Sequence, residues 1–276
     1  MSTILKLENV SFSFPDKSIS GKNDWIPVFN NVSLSIKQGQ IIGLVGKSGC
    51  GKTTLGKLLV NYFSLNNEDV KITGTINYYT DDAIHDITSK KYIKQYKIQP
   101  IQMIFQDPKI SLNLKMKTYD QLKEAILTKN KLKGHALKNK IFAVAKQFKL
   151  DEKLNSTPGS MSGGERRRLG LAKIIATEPK IIIADEPVAS LDVSIKYEIM
   201  KIILSLKNKG QTIVIISHDI ALIRKEADVI FVMSDGEIVE QWLPVQDPNH
   251  RATKQLLKDS EEVNAPLKKL ITISKA

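Results

Sequence analysis

Apolar and polar positions alternate along residues 3–14, through Ile4, Leu5, Leu7, Val10, Phe12 and Phe14. They alternate again along 28–37, through Val28, Phe29, Val32, Leu34 and Ile36. A period of two predicts half-buried antiparallel strands, here joined by a polar connection from Pro15 to Trp25. Lys71 to Tyr79 predicts a further strand. Four shorter runs are mostly apolar, Gln40 to Val45, Ile101 to Phe105, Ile181 to Ala184 and Thr212 to Ile216, and Ile181 to Ala184 is apolar without interruption. Such runs predict strands covered on both faces, as in a parallel sheet. Helical spacing marks Thr54 to Val60, then about Thr118 to Leu150 through Leu122, Ile126, Leu127, Leu137, Ile141, Val144 and Phe148. It returns in Arg166 to Thr177, in a segment with Ile195, Ile199 and Ile203 that ends before Gly210, and in Ile220 to Glu226. Residues 80–100 predict a loop with a short lysine-rich helix, and Val229 to Val239 a hairpin turned at Asp235-Gly236. Strands alternating with helices predict an α/β fold with a mainly parallel sheet. The antiparallel strands would flank it, and the lysine-rich helical block reads as a subdomain inserted into it.

Ligands in such sheets sit beyond the carboxyl ends of the strands. Gly46-Lys47-Ser48-Gly49-Cys50-Gly51-Lys52-Thr53 stands at one of these ends and fits the spacing G-x-x-x-x-G-K-[ST]. A strand precedes it and a helix follows. Glycines let the backbone wrap a phosphate with its N–H groups inward, and the helix start adds unpaired donors. Lys52 can reach the β- and γ-phosphates, and Thr53, followed by Thr54, can ligate a Mg²⁺ that bridges them. Gln106 follows Phe105, Asp185-Glu186 follows Ala184, and His218 follows Ser217. Asp185 can hold Mg²⁺, Glu186 can accept a proton from an attacking water, Gln106 can touch the metal or the water, and His218 can bond the γ-phosphate. Ser162-Gly163-Gly164-Glu165 reads as a capping box, serine at N-cap and glutamate three residues on. Its two glycines also open a helix start to a phosphate. A second phosphate-binding end makes sense if it serves another subunit's nucleotide.

Composition narrows the class. The 276 residues are 42% hydrophobic and 25% charged, enough for a sizeable core. No apolar run is long enough to span a bilayer, and the first ten residues lack a signal-peptide apolar core. Cys50 is the one cysteine, so no internal disulfide can form. Together these favour the cytoplasm. The net charge of +12 would suit nucleic acid or an anionic membrane, but the lysines are scattered without interleaved aromatics, as on a solvated surface.

Taken in order, these motifs resemble the ATP-binding cassette (ABC) ATPases. Ser162-Gly163-Gly164-Glu165 resembles the LSGGQ signature, with Met161 for Leu and Glu165 for Gln. Phe14 stands at the adenine-stacking aromatic, in place of the commoner Tyr. The loop at 46–53 is Walker A, Gln106 the Q-loop, Asp185-Glu186 Walker B, Ala189-Ser190-Leu191-Asp192 the D-loop and His218 the switch histidine. The resemblance implies a P-loop NTPase (RecA-like) core with an antiparallel β subdomain and an inserted α-helical subdomain. It sets an ATPase domain at 1–258, the helical subdomain at about 109–165 and a weakly ordered tail at 259–276. It implies ATP and Mg²⁺ as ligands, with Thr53, Gln106 and Asp185 toward the metal, Glu186 as general base, and Ser190 and Asp192 in the D-loop. Each ATP would lie between the Walker motifs of one subunit and Ser162–Glu165 of the other.

A finer resemblance is to the oligopeptide, dipeptide and nickel importer branch. It rests on Gly74 to Pro108, Ser111-Leu112-Asn113 and the tail Asp247 to Leu257, which departs from the usual H-P-Y-T form at Arg251 and Ala252. That branch implies two membrane-spanning permease subunits, a second ATPase subunit, an extracytoplasmic solute-binding protein and a peripheral position at the cytoplasmic face of the membrane. Peptide uptake is the expected task, with nickel or a metal chelate as the alternative solute. A nucleic-acid or ribosome-acting cassette is the rival reading. Ribosome-acting members carry two cassettes per chain and DNA-repair members a long coiled coil before the signature, so no nucleic-acid partner is expected. A small-substrate phosphotransferase would lack the signature and the switch histidine.

Overall fold

The computed structural model describes residues 2–16, 24–96, 99–106, 112–189 and 193–260. They divide into two compact units, Met1–Tyr92 with Val214–Ala276, and Ile93–Ile213. The first unit begins with β1 (Thr3–Pro15), β2 (Trp25–Lys37), β3 (Ile41–Val45), α1 (Lys52–Leu59), α2 (Tyr62–Leu65), β4 (Lys71–Tyr79) and β5 (Ile84–Asp86). After α3 (Lys90–Gln95), the second unit holds β6 (Ile101–Ile104), α4 (Thr118–Lys129), α5 (Gly134–Gln147), α6 (Gly163–Ala176), β7 (Ile181–Asp185) and α7 (Val193–Ser205). β8 (Thr212–Ser217) returns the chain to the first unit, which ends with α8 (Ile220–Arg224), β9 (Val229–Ser234) and β10 (Glu237–Trp242).

In the first unit β2-β1-β4-β5 form an antiparallel sheet. The alternation that predicts β1 changes phase: Leu5 and Leu7 are buried, then Val10 and Phe12. β2 does the same between Phe29 and Val32. A strict period of two would send half of each set to solvent. Bulges absorb the change. The β1–β2 register shifts between Leu7 and Val10, and Asn9 and Asn31 take left-handed φ of 53° and 50°. Ser33 Oγ accepts from Asn9 N at 2.9 Å, and Ser11 Oγ accepts from Asn31 N at 3.0 Å, so neither kinked amide is orphaned. On β4, Gly74 passes so close that a Cβ would stand 2.4 Å from Asn9 O. Phe12 packs between Phe29 and Phe63 of α2, with ring centroids 5.6 and 4.7 Å away.

The other strands of this unit follow the order β10-β9-β3-β8. β3 runs parallel to β9, pairing Ile42 with Val229 and Val45 with Val232, and β9 turns back antiparallel into β10. A helix over 251–260 was not expected from the sequence. It is tied to β10 by Glu240, which accepts from Asn249 N at 2.7 Å and from the hydroxyl of Thr253. Burial pushes the Glu240 carboxyl up, but these bonds outweigh it and hold the carboxyl below its ordinary range.

In the second unit β6 runs parallel to β7, from Ile101 beside Ile181 to Ile104 beside Ala184. Every residue of β7 is buried. α4, α5 and α6 pack together through Leu122 and Ile126, Ile141 and Val144, and Leu169, Ala172 and Ile175. Gln121 is fully buried there, donating to Asn113 O and Met116 O at 2.9 Å each and accepting from Lys173 at 3.1 Å.

Three local expectations shift. The helical stretch over 118–150 is two helices, because Asn130 is extended (ψ 131°) and Gly134 is left-handed (φ 55°). Residues 80–100 also contain β5. α6 starts at Gly163 rather than Arg166, because the capping box at Ser162 begins the helix itself.

Candidate functional site

The first unit carries the phosphate loop. It leaves β3 at Val45 and enters α1 at Lys52. Gly46 is backed by β9: a Cβ there would lie 2.1 Å from the main-chain oxygen of Met233. Gly51 is left-handed (φ 106°), and its Cβ would meet Met233 Cε at 2.9 Å and Phe29 Cδ1 at 3.4 Å. The loop is thus pressed against the sheet at both ends. Lys47, Ser48 and Gly49 between them are exposed, and a Cβ at Gly49 would meet nothing within 4 Å. Lys52 is buried, 7% exposed, and folds back over the loop. Its ammonium donates to Gly46 O and Lys47 O at 2.8 Å each and touches Cys50 Sγ at 3.5 Å. The carbonyls of Gly46 and Lys47 therefore point at the lysine. Thr53 is exposed and Thr54 half-buried on the first turn of α1. Phe14 is half-buried at the edge of an aromatic cluster, edge-on to Phe12 at 5.0 Å and to Phe63 at 5.7 Å. His218 is exposed on the turn after β8, the strand beside β3. Asp219 fixes that turn by accepting from Leu222 N at 3.0 Å while its own N–H donates to Ser217 Oγ at 3.0 Å.

The second unit carries the carboxylates, the glutamine and the signature. Asp185 ends β7 and is 3% exposed. Glu186 follows with a left-handed φ of 44°. A glutamate before a proline is doubly disfavoured there, at about 1–3 kcal/mol of backbone strain. Gln106 follows β6 and its side chain is exposed. Ser190 and Asp192 lie outside the described residues. Ser162 caps α6 as a complete capping box: Ser162 Oγ accepts from Glu165 N at 3.2 Å, and Glu165 Oε2 accepts from Ser162 N at 2.8 Å. Glu165 also meets Lys153 at 3.1 Å. The Ser162 N–H bond and Lys153 hold its carboxyl below the ordinary glutamate range. The hydroxyl of Ser162 accepts within the cap and so still has its proton to give. A Cβ at Gly164 would stand 3.5 Å from Ile195 of α7, whereas one at Gly163 would meet nothing within 4 Å among the described residues.

Arg167 is the residue that sequence reasoning missed. It is 5% exposed, one turn into α6. Its Nε donates to Pro187 O at 3.0 Å and its Nη2 to Glu186 O at 2.8 Å. Its Nη1 donates to Phe105 O at 3.1 Å and to Gln106 O. The run Arg166-Arg167-Arg168 reads as a solvated charge cluster. The available signal was the helical stripe Gly164, Arg167, Leu171 and Ile175, which places Arg167 on the inward face.

The donors expected to face a metal are a threonine hydroxyl, an amide oxygen and a carboxylate. This all-oxygen set fits Mg²⁺, which takes one or two protein ligands plus phosphate oxygens rather than a dedicated cage. No cluster of three or more His, Cys, Asp or Glu able to hold a metal occurs among the described residues.

The family model described as ABC transporter matches residues 29–189. The chain is 35% identical to the oligopeptide transport ATP-binding protein OppF of Streptococcus mutans over 243 residues, 86% of this chain and 74% of that one. It is 33% identical to the dipeptide transport ATP-binding protein DppF of Lactococcus lactis subsp. cremoris over 260 residues, 92% and 80% of the two chains. Among solved structures it is similar to the ATP-binding cassette MJ0796, a dimer in a post-hydrolysis state bound to ADP and Pi. That match has a TM-score of 0.72 and 25% identity, covering 87% of this chain and 99% of that one.

Proposed function

The chain belongs to the ABC transporter family, and on that premise we propose that it is the ATPase subunit of an importer that brings peptides across the cytoplasmic membrane. As a member of the family it is an ATP-hydrolysing cassette. No helix among the described residues is long and apolar enough to cross a membrane. In the importer proposed, the path for solute would lie in two permease subunits. Peptide as solute is supported by the oligopeptide and dipeptide relatives.

The loop N–H groups and Lys52 hold the triphosphate, and Phe14 offers an aromatic face to the adenine. Thr53, Gln106 and Asp185 would hold Mg²⁺, which when bound offsets charge on the β- and γ-phosphates. Glu186 takes a proton from water as the water oxygen attacks the γ-phosphorus and the bond to the β–γ bridging oxygen breaks. His218 contacts the γ-phosphate. The ATP of the second cassette is completed by Ser162 to Glu165. The observation that carries this two-subunit reading is Gly163: among the described residues nothing stands within 4 Å of a Cβ there, so the start of α6 is open to an approach from outside. The similar solved cassette is itself a dimer holding ADP and Pi.

The test is turnover by the full chain assembled in vesicles with its permease and partner ATPase subunits. ATP hydrolysis rising with permease and solute-binding protein, unmoved by added nucleic acid, and coupled to peptide accumulation supports the proposal. Stimulation by nucleic acid, or accumulation of nickel instead of peptide, overturns it.

A further inference from the structure

We infer that Arg167 is a positioning residue that locks the turn bearing Gln106 and the corner bearing Glu186 to the signature helix α6. This inference rests on the roles proposed above for Gln106, Glu186 and Ser162 to Glu165. Four main-chain carbonyls, of Phe105, Gln106, Glu186 and Pro187, converge on one guanidinium. The first two leave β6 and the last two leave β7, so one side chain spans the exits of neighbouring strands. Only arginine can do this. Its planar fork presents N–H donors in fixed, divergent directions, where a lysine offers one compact point of charge.

The site needs such a clamp. Glu186 is held at φ 44° directly before Pro187, a conformation its own chemistry disfavours. Arg167 takes the carbonyl of the Glu186–Pro187 peptide bond and that of the bond after it. Gln106 is exposed, so its main chain rather than its side chain is what the protein grips. The neighbouring arginines point elsewhere, as successive helix residues must. Arg166 donates to Met161 O at 2.6 Å, steadying the entry to the signature. Arg168 faces Glu198 of α7 at 3.8 Å.

The consequence is directional. The start of α6 would meet the neighbour's nucleotide, while Gln106 and Glu186 act on the subunit's own. A rigid link one turn long then lets occupancy of one composite site set the geometry of the other. That is a coupling between sites through a contiguous element rather than through solvent.

Two variants test it, Arg167→Met, which keeps length and removes every donor, and Arg167→Lys, which keeps charge and removes the fork. In the full chain without nucleotide, amide exchange at Gln106 and over residues 186–189 should quicken at least about ten-fold, with Leu169 to Ala176 unchanged. In the assembled transporter kcat should fall at least about ten-fold while KM for ATP stays within about three-fold, and the Hill coefficient should drop from above one toward one. Nucleotide affinity of the full chain alone should hold, since the phosphate loop makes none of these bonds. Uniform loosening of the second unit, loss of folding in both variants, or wild-type exchange and cooperativity in Arg167→Lys would each overturn the inference. A wild-type assembly without turnover would instead overturn the proposed function, and the exchange measurement would still decide the clamp.

Discussion

Glu165→Gln should weaken the fold and strengthen nucleotide-driven association at the same time. In the folded chain the Glu165 carboxylate accepts from Ser162 N at 2.8 Å and pairs with Lys153 at 3.1 Å. Glutamine keeps the shape and an acceptor but loses the charge. A charge-assisted bond at a helix start is worth roughly twice a neutral one, so about 1 kcal/mol is lost there. The Lys153 pair adds at most about 0.5 kcal/mol, because the lysine side chain is 42% exposed. For the second unit of about 120 residues, unfolding entropy near 2.1 cal/mol/K per residue turns a loss of about 1 kcal/mol into about 4 °C. Against this, the carboxylate stands at the helix end proposed to receive a neighbour's phosphates. At ~6–8 Å, in the screened medium of an interface, each facing phosphate charge is opposed by about 0.5–1 kcal/mol. Removing the charge should tighten ATP-dependent association with the partner cassette by roughly ten-fold, and the gain should shrink as salt shortens the screening length. Differential scanning calorimetry reads the first effect, and sedimentation with ATP in a Glu186→Gln background the second. The pH dependence has a fixed sign. Glu165 titrates below its ordinary range, through the Ser162 N–H bond first and then Lys153. Its stabilisation is therefore complete above the unfolded value near ~4.3 and is lost as pH falls through the lowered folded value. The wild type should lose its advantage over the variant in acid, not in alkali. Association that weakens or stays level in Glu165→Gln would refute the placement of this helix end at a phosphate.

Glu186→Gln should leave ATP binding within about three-fold and cut turnover by about a hundred-fold or more, as measured by phosphate release. Unchanged turnover removes Glu186 as base. Ser162→Arg should bind nucleotide normally as a single subunit yet fail to associate with its partner in ATP, read by equilibrium binding beside sedimentation. Lost binding in the single subunit would contradict the two-subunit site. Gly46→Ala and Gly49→Ala separate packing from backbone strain. The first drives a Cβ to 2.1 Å from Met233 O and should cost about 3 kcal/mol or more along with ATP binding. The second meets no atom but keeps φ 84°, so about 1–2 kcal/mol is expected. Equal effects in denaturant titrations would show that β9 does not back the loop.

The sequence by itself determined the family and most of the elements. Largely apolar runs marked β3, β6, β7 and β8, because a strand covered on both faces has little need of a polar side. The placement of the phosphate loop after β3, of Asp185 at the end of β7 and of Ser162 at the start of α6 was legible because each depends on local spacing. Spacing also placed Ser162 as a cap, since serine and glutamate three apart can satisfy each other's amides. Only the tertiary structure decided what depends on distant segments. The phase changes at Asn9 and Asn31 are visible as misplaced apolar residues, but a pattern cannot say that Ser33, Ser11 and a bare Gly74 will make room for them. The helix over 251–260 is anchored by Glu240, several residues before it and on a strand. Arg167 shows the limit most plainly. An arginine among arginines looks solvated until two loops from elsewhere in the chain supply four carbonyls. Burying its charge is favourable only where those oxygens already stand, and a linear pattern carries no record of them.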